Sequence, residues 1–207
     1  MRSSRIKRKT KETDIDVRLL IEGREEARIE TGIPFLSHLL NLLVYNSLFD
    51  IEISAKGDLC HHITEDVGIA LGSGLSEALG DKKGIRRYGQ SLLSMDESLV
   101  MVAIDISGRP NLVITGNSKS LPFEKKTQFF SPINLSGSVD GFDVSLISEF
   151  LKAFVDNAKL TLHITLFYGK DMHHIVEAVF KAVGRALRCA CELDERAYDI
   201  PSTKGIL

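Results

Sequence analysis

Two stretches of the chain share one rhythm of apolar positions. Val67, Ala70, Leu71 and Leu75 recur three and four apart, and so do Val179, Ala182, Val183 and Leu187. That spacing predicts a helix with one buried face. Upstream of each helix the rhythm becomes an alternation, over Phe49 to Ser54 and over Leu160 to Leu166, which predicts half-buried strands. Before each strand an amphipathic helix is predicted again, around Ser37-His38-Leu39-Leu40 and Ser148-Glu149-Phe150-Leu151.

These matching patterns are an internal duplication. His61-His62-Ile63-Thr64-Glu65 returns as His173-His174-Ile175-Val176-Glu177, an offset of 112 positions (173 minus 61). The match continues without gaps through Val67/Val179, Ala70/Ala182, Gly72/Gly184 and Leu75/Leu187. Nearer the front of each half, Glu12, Val17, Ile21, Gly23 and Arg24 match Glu97, Val102, Ile106, Gly108 and Arg109, 85 positions on (97 minus 12). Each half reads strand, strand, helix, strand, helix, and the junction falls near Gln90 to Met95. An antiparallel sheet needs one covered face, and amphipathic helices supply the cover. The predicted fold is therefore α+β: two tandem repeats, each a mostly antiparallel sheet with two helices, the helices packed together between the sheets. The repeats span about 1–92 and 93–195, with a tail at 196–207, all in one domain. Thr115 to Val144, rich in Gly, Ser, Asn and Pro and without a period, is predicted to be a long loop.

Composition narrows the function classes. The net charge is −2 and the basic residues form no block beyond Arg2 to Lys11, which argues against a nucleic-acid partner. No apolar run is long enough for a bilayer, and the N-terminus lacks the apolar core of a signal peptide. The three cysteines, Cys60, Cys189 and Cys191, make no even framework, so a reducing cytoplasm is the expected compartment. Cys60 is read as a small buried residue, with a role as an extra metal ligand as the alternative.

The histidines carry the chemistry. The six are His38, His61, His62, His163, His173 and His174. One His pair at a helix start reads as two surface residues; the same pair twice, each followed by Glu at equal spacing, reads as a site. Adjacent helix residues point about 100° apart, so neighbouring histidines serve two ions more readily than one. Glu65 and Glu177 lie four and three residues beyond their histidines, on the same helix face. Imidazole with carboxylate suits zinc, iron or manganese. Six imidazoles and two carboxylates over two ions give four protein ligands each, which leaves an octahedral ion open to substrate. Taken alone, His163 reads as a strand residue and His38 as a helix residue at a packing edge.

Further motifs stand in order along the chain: Thr10-Lys11-Glu12-Thr13, Thr31-Gly32-Ile33-Pro34-Phe35 with His38, Gly57-Asp58, and His61-His62 with Glu65-Asp66. Lys83-Gly84-Ile85, Arg87-Tyr88-Gly89, Met95-Asp96-Glu97 and Asp105-Ile106-Ser107-Gly108-Arg109-Pro110 follow, then Thr161-Leu162-His163-Ile164, His173-His174 with Glu177 and Lys181, and Pro201-Ser202-Thr203-Lys204-Gly205. Over nearly its whole length the chain thereby resembles the imidazoleglycerol-phosphate dehydratases. The resemblance implies a ribosomal protein S5 domain 2-like fold. It implies removal of water from D-erythro-imidazole-glycerol phosphate to give imidazole-acetol phosphate in histidine biosynthesis. It implies two Mn2+ per active site, with other divalent ions as alternatives, held by His38, His61, His62, Glu65, His163, His173, His174 and Glu177. Arg87, Arg109, Ser202 and Lys204 would hold the substrate phosphate, with the tail ordered over the site. A homo-oligomer of 24 chains sharing active sites between subunits is implied as well.

The chemistry asked of such a site is loss of a hydroxyl beside an imidazole ring and of a proton from the adjoining carbon. Two cations on the ring nitrogens would stabilise an imidazolate. Glu12 is then the expected acid/base, its mate Glu97 the second candidate, and Lys181 a partner for a ligand carboxylate or for substrate. The chain departs from the family in four places. Ser37 stands where Asp is usual, Asn46-Ser47 where His-Gly is common, the run from Asp58 to His61 is short, and the 115–144 loop is long. Lost carboxylates near ligating histidines bear on affinity rather than on the ligand set. Two rival readings remain at this point: a divergent metal-dependent lyase or hydrolase on another phosphorylated small molecule, and an inactive shell-forming paralogue.

Overall fold

The computed structural model describes residues 1–117 and 130–207, with side-chain burial described outside 117–131. The first half runs β1 (Ser3–Lys9), β2 (Thr13–Leu20), β3 (Ala27–Glu30), α1 (Pro34–Ser47), β4 (Asp50–Gly57) and α2 (Cys60–Leu79). The second half runs β5 (Tyr88–Met95), β6 (Ser98–Asp105), β7 (Asn111–Asn117), the short β8 (Phe130–Pro132), β9 (Ser138–Val139) and β10 (Phe142–Asp143), then α3 (Ser145–Ala158), β11 (Thr161–Tyr168) and α4 (Met172–Cys191). The sheets repeat one order, β1-β2-β4-β3 and β5-β6-β11-β7, the second extended by β8. The tandem α+β architecture expected from the duplicated pattern is the one observed.

Three details differ from the sequence reading. Each half holds a third strand, β3 or β7, lying parallel to β4 or β11 in an otherwise antiparallel sheet. Strand β3 has four residues, none of them fully buried, so it shows no alternation for a pattern to catch. The segment Thr115 to Val144 is not loop throughout: β7 runs into it, and β8, β9 and β10 lie within it, while residues 118–129 fall outside the described residues. Gln90 to Met95, where the junction was expected, lies inside β5.

Helix packing crosses between the halves. Helix α1 packs on α4 and α2 packs on α3, while α2 also covers β1 and β2, and α4 covers β5 and β6. The matched glycines make this approach close. A methyl added at Gly72 would sit 2.4 Å from the carbonyl oxygen of Phe154, and one at Gly184 would sit 2.6 Å from that of Leu43. Phe150 and Phe180, both fully buried, stack at 5.6 Å where α3 and α4 approach. Burial of this kind contributes about 1.5–3 kcal/mol per large apolar side chain. The result is a rigid scaffold holding the first turns of α1, α2 and α4 around one cavity.

Candidate metal centre and substrate site

Helix α4 starts where Asp171 accepts a hydrogen bond from the His173 backbone N–H at 2.8 Å, an N-cap. His173 and Glu177 then stand one turn apart on one face. Packing of α1 on α4 brings His38 to the same place. Nε2 of His38 lies 2.7 Å and Nε2 of His173 2.9 Å from the same oxygen, Oε1 of Glu177. Lys181, a turn further on, donates to Oε2 at 2.7 Å. Glu177 is only 7% exposed. Burial works against its charge, but hydrogen bonds from Lys181, His38 and His173 outweigh it and hold the pKa at about 2.

Ligand atoms of His38, His173 and Glu177 all lie within 4.8 Å of one another, and no other such His/Cys/Asp/Glu group occurs among the described residues. Two imidazoles and a carboxylate with no thiolate suit a borderline or hard divalent ion. A cation would replace the two imidazole–carboxylate bonds now made inside the cluster. The cluster lines a cavity of about 590 Å³, whose wall includes Phe35, Phe142 and Cys60. Cys60 is exposed there and is not one of the clustered donors.

The adjacent histidines point to different partners, as helix geometry requires. While His173 faces Glu177, Nδ1 of His174 meets Glu97 at 2.8 Å, and its Nε2 is 3.7 Å from Asp96. Glu97 also accepts from the backbone N–H groups of Asp171 at 2.9 Å and Lys170 at 3.1 Å. These bonds, the Asp171 amide first and then His174, hold its carboxyl well below the ordinary carboxylate range. In the first copy, His61 faces Glu65 at 3.8 Å. Nδ1 of His62 meets Asp58 at 2.8 Å, and Glu12 stands 3.8 Å from the same nitrogen. The Asp58 bond raises the His62 pKa. That His62 pairing is the one ion pair of Glu12 among the described residues.

His163 is not brought to the cluster. Leu162, Ile164 and Leu166 are buried toward the helices, so alternation turns His163 to the outer face of β11, where it is exposed.

The residues expected to hold phosphate gather at the other end of α4. The Arg87 backbone N–H donates to Ala190 in the last turn of α4 at 2.9 Å. Its guanidinium grips Asp105 at 2.7 and 3.2 Å and donates to the Pro201 carbonyl at 2.9 Å, which ties down the tail. The Ser202 hydroxyl accepts from the Lys204 backbone N–H at 3.2 Å. Gly108 has φ +72°, and a methyl on it would stand 2.5 Å from the Leu207 carbonyl carbon, so the chain end lies against the loop that carries Arg109. Neither the Arg109 guanidinium nor the Lys204 ammonium has an ion-pair partner among the described residues. Since α4 has 20 residues, the two ends of the helix are about 30 Å apart.

Asp58 as the partner of His62 and Asp105 as the partner of Arg87 were not singled out from the sequence. The spacing of Asp58, four residues before His62, was the available signal.

A family model described as Imidazoleglycerol-phosphate dehydratase matches residues 31–187. The chain is 45% identical over 210 residues to the imidazoleglycerol-phosphate dehydratase of Geobacillus sp. (strain WCH70), covering 100% of both. It is 47% identical to that of Pseudomonas fluorescens, over 100% of this chain and 98% of the relative. Among solved structures, IGPD from Pyrococcus furiosus in complex with (S)-C348 superposes with a TM-score of 0.78 at 35% identity, over 98% of this chain and 100% of that one. Imidazoleglycerol-phosphate dehydratase from Staphylococcus aureus does so at 0.76 and 36%, over 93% and 99%.

Proposed function

The chain belongs to the imidazoleglycerol-phosphate dehydratase family, and from that premise we propose which of its residues do the work. It is a hydro-lyase of histidine biosynthesis, taking water from imidazole-glycerol phosphate to give imidazole-acetol phosphate.

We propose a site that holds two manganese ions on His38, His61, His62, Glu65, His163, His173, His174 and Glu177. The observation that carries it is the convergence of His38 and His173 on one oxygen of Glu177, with Lys181 on the other. When bound, the ions supply Lewis acidity that stabilises negative charge on the imidazole ring. Lys181 keeps Glu177 ionised and oriented. Glu12 takes the proton from the carbon next to the departing hydroxyl, because its carboxylate carries none of the backbone bonds that engage Glu97. Arg109 and Lys204, free of ion pairs among the described residues, meet the phosphate; Arg87 and Ser202 shape the tail around it.

The active site is shared between copies in this reading, in an assembly of 24 chains. The separation along α4 supports it: one chain keeps its phosphate-gripping end about 30 Å from His173. So does His163, which faces away from its own cluster. A single domain of two repeats with a tail at 196–207 belongs to the same proposal, the boundary between the repeats lying in the connection from α2 to β5, as does the cytoplasm as its place. No helix among the described residues is long and apolar enough to cross a membrane.

The test is an assay on metal-stripped protein supplied with imidazole-glycerol phosphate, following imidazole-acetol phosphate. The expected result is no turnover until manganese is returned. Full turnover without any divalent ion would overturn the metal assignment.

A further inference from the structure

His62 and His174 hold the same place in the two copies, yet each meets a carboxylate from a different part of its repeat. The ring nitrogen is Nδ1 in both and the distance is 2.8 Å in both. The acid is Asp58, one turn ahead on the same chain segment, for His62. It is Glu97, from the turn between β5 and β6, for His174.

The connection before each helix decides which acid arrives. Two residues, Asp58 and Leu59, separate β4 from α2, whereas three, Gly169, Lys170 and Asp171, separate β11 from α4. The shorter connection places Asp58 four residues before His62, and its backbone N–H donates to the Glu12 carbonyl at 3.2 Å, which pins it there. In the longer one, four residues before His174 stands Lys170, which is not an acceptor. There the backbone N–H groups of Lys170 and Asp171 turn onto Glu97 and draw its carboxylate to the ring. Glu12, which matches Glu97, is displaced from that duty and stands 3.8 Å off.

We infer that Asp58 and Glu97 are positioning residues for His62 and His174. Each takes the Nδ1–H, fixes the ring and its tautomer, and leaves Nε2 as the donor for a cation. By occupying His62, Asp58 also leaves the Glu12 carboxylate free for the reaction. This inference rests on the reading of His62 and His174 as metal ligands.

Manganese alone, titrated into stripped full-length protein against a competing chelator, tests it. Asp58→Asn and Glu97→Gln are each expected to weaken manganese binding about 10- to 100-fold, with circular dichroism and assembly size unchanged. Asp14→Asn, which removes an exposed acid paired with Lys9, is the control and leaves affinity unchanged. Adding Lys170→Asp to Glu97→Gln places an acid four residues before His174, as Asp58 stands to His62, and is expected to restore most of the lost affinity. Wild-type protein that binds manganese while both variants bind within twofold of it overturns the positioning role and leaves the ligands standing. Wild-type protein that binds no manganese overturns the ligand reading and the inference with it.

Discussion

Nη1 of Arg87 donates to the backbone oxygen of Pro201 at 2.9 Å, while the rest of the same guanidinium grips Asp105. One planar fork therefore fastens the tail to the entry of β5. Lysine offers a point charge and cannot make both connections. Arg87→Lys is expected to raise KM about tenfold, since a hydrogen bond to a charged group contributes about 1.5–3 kcal/mol. The tail should also become sensitive to limited proteolysis. An unchanged cleavage pattern would show that Arg87 does not hold the tail.

His163 points away from the cluster of its own chain. His163→Ala should leave the secondary structure of the chain intact, because the side chain is exposed and supports no packing. Turnover should nonetheless fall by orders of magnitude and bound metal should decrease. Elemental analysis alongside steady-state kinetics checks this, and normal metal content would remove His163 from the ligand set.

Glu177 gives a pH dependence with a definite sign. Its pKa in the folded chain, about 2, lies below the ordinary 4.5. A depressed carboxylate contributes stability above its unfolded pKa and loses it as the pH falls through the folded one. In metal-free protein, the stability difference between wild type and Glu177→Gln should be full above pH 4.5 and should close as the pH falls toward 2. Denaturation midpoints measured across that window decide it; a gap constant with pH would contradict the assignment.

At Gly72 an added methyl would stand 2.4 Å from the carbonyl oxygen of Phe154, a backbone atom that cannot swing away. Gly72→Ala should therefore destabilise the protein by about 1–3 kcal/mol despite the better helix propensity of alanine. Thermal unfolding of this variant beside Gly80→Ala, at the open end of α2, separates packing from backbone strain: Gly80 has free space but φ +55°, so its cost is strain alone.

Thr64 is fully buried, and its hydroxyl has no hydrogen-bond partner among the described residues. Valine has the same shape without the oxygen. Thr64→Val should stabilise by about 1 kcal/mol, read as a raised unfolding midpoint. A destabilisation of that size would mean the hydroxyl has a partner in the assembled protein.

The parts legible in the sequence were those written twice. The His-His pairs, Glu65 and Glu177, and the glycines 72 and 184 stood at one offset, and each was found at the matching place on α2 and α4. Strand β3 is hidden from the pattern because an exposed edge strand need not alternate, and β7 because Leu112, Val113 and Ile114 are apolar in succession and all half-buried. The meeting of His38 with Glu177 depends on α1 crossing to the helix of the other repeat, which no local spacing encodes. His163 and the residues proposed to hold phosphate are named only through resemblance, since an outward strand histidine and a polar tail have no pattern of their own. The contrast between Asp58 and Glu97 arises from one residue of loop length, visible as the change in offset between strand and helix but without meaning until the side chains are placed.

The crossed helix pairing also bears on how the chain reaches its fold. Gly72 meets Phe154, and Gly184 meets Leu43, so these two helix–helix seams join residues from opposite halves of the sequence. Each half packs one helix on its own sheet, but the helix-on-helix seams need both halves, and the loop-closure entropy of the long connections is met before those seams reward it. Folding should be slow and late to commit. During synthesis on the ribosome, α1 and α2 must wait, apolar faces exposed, until α3 and α4 have emerged.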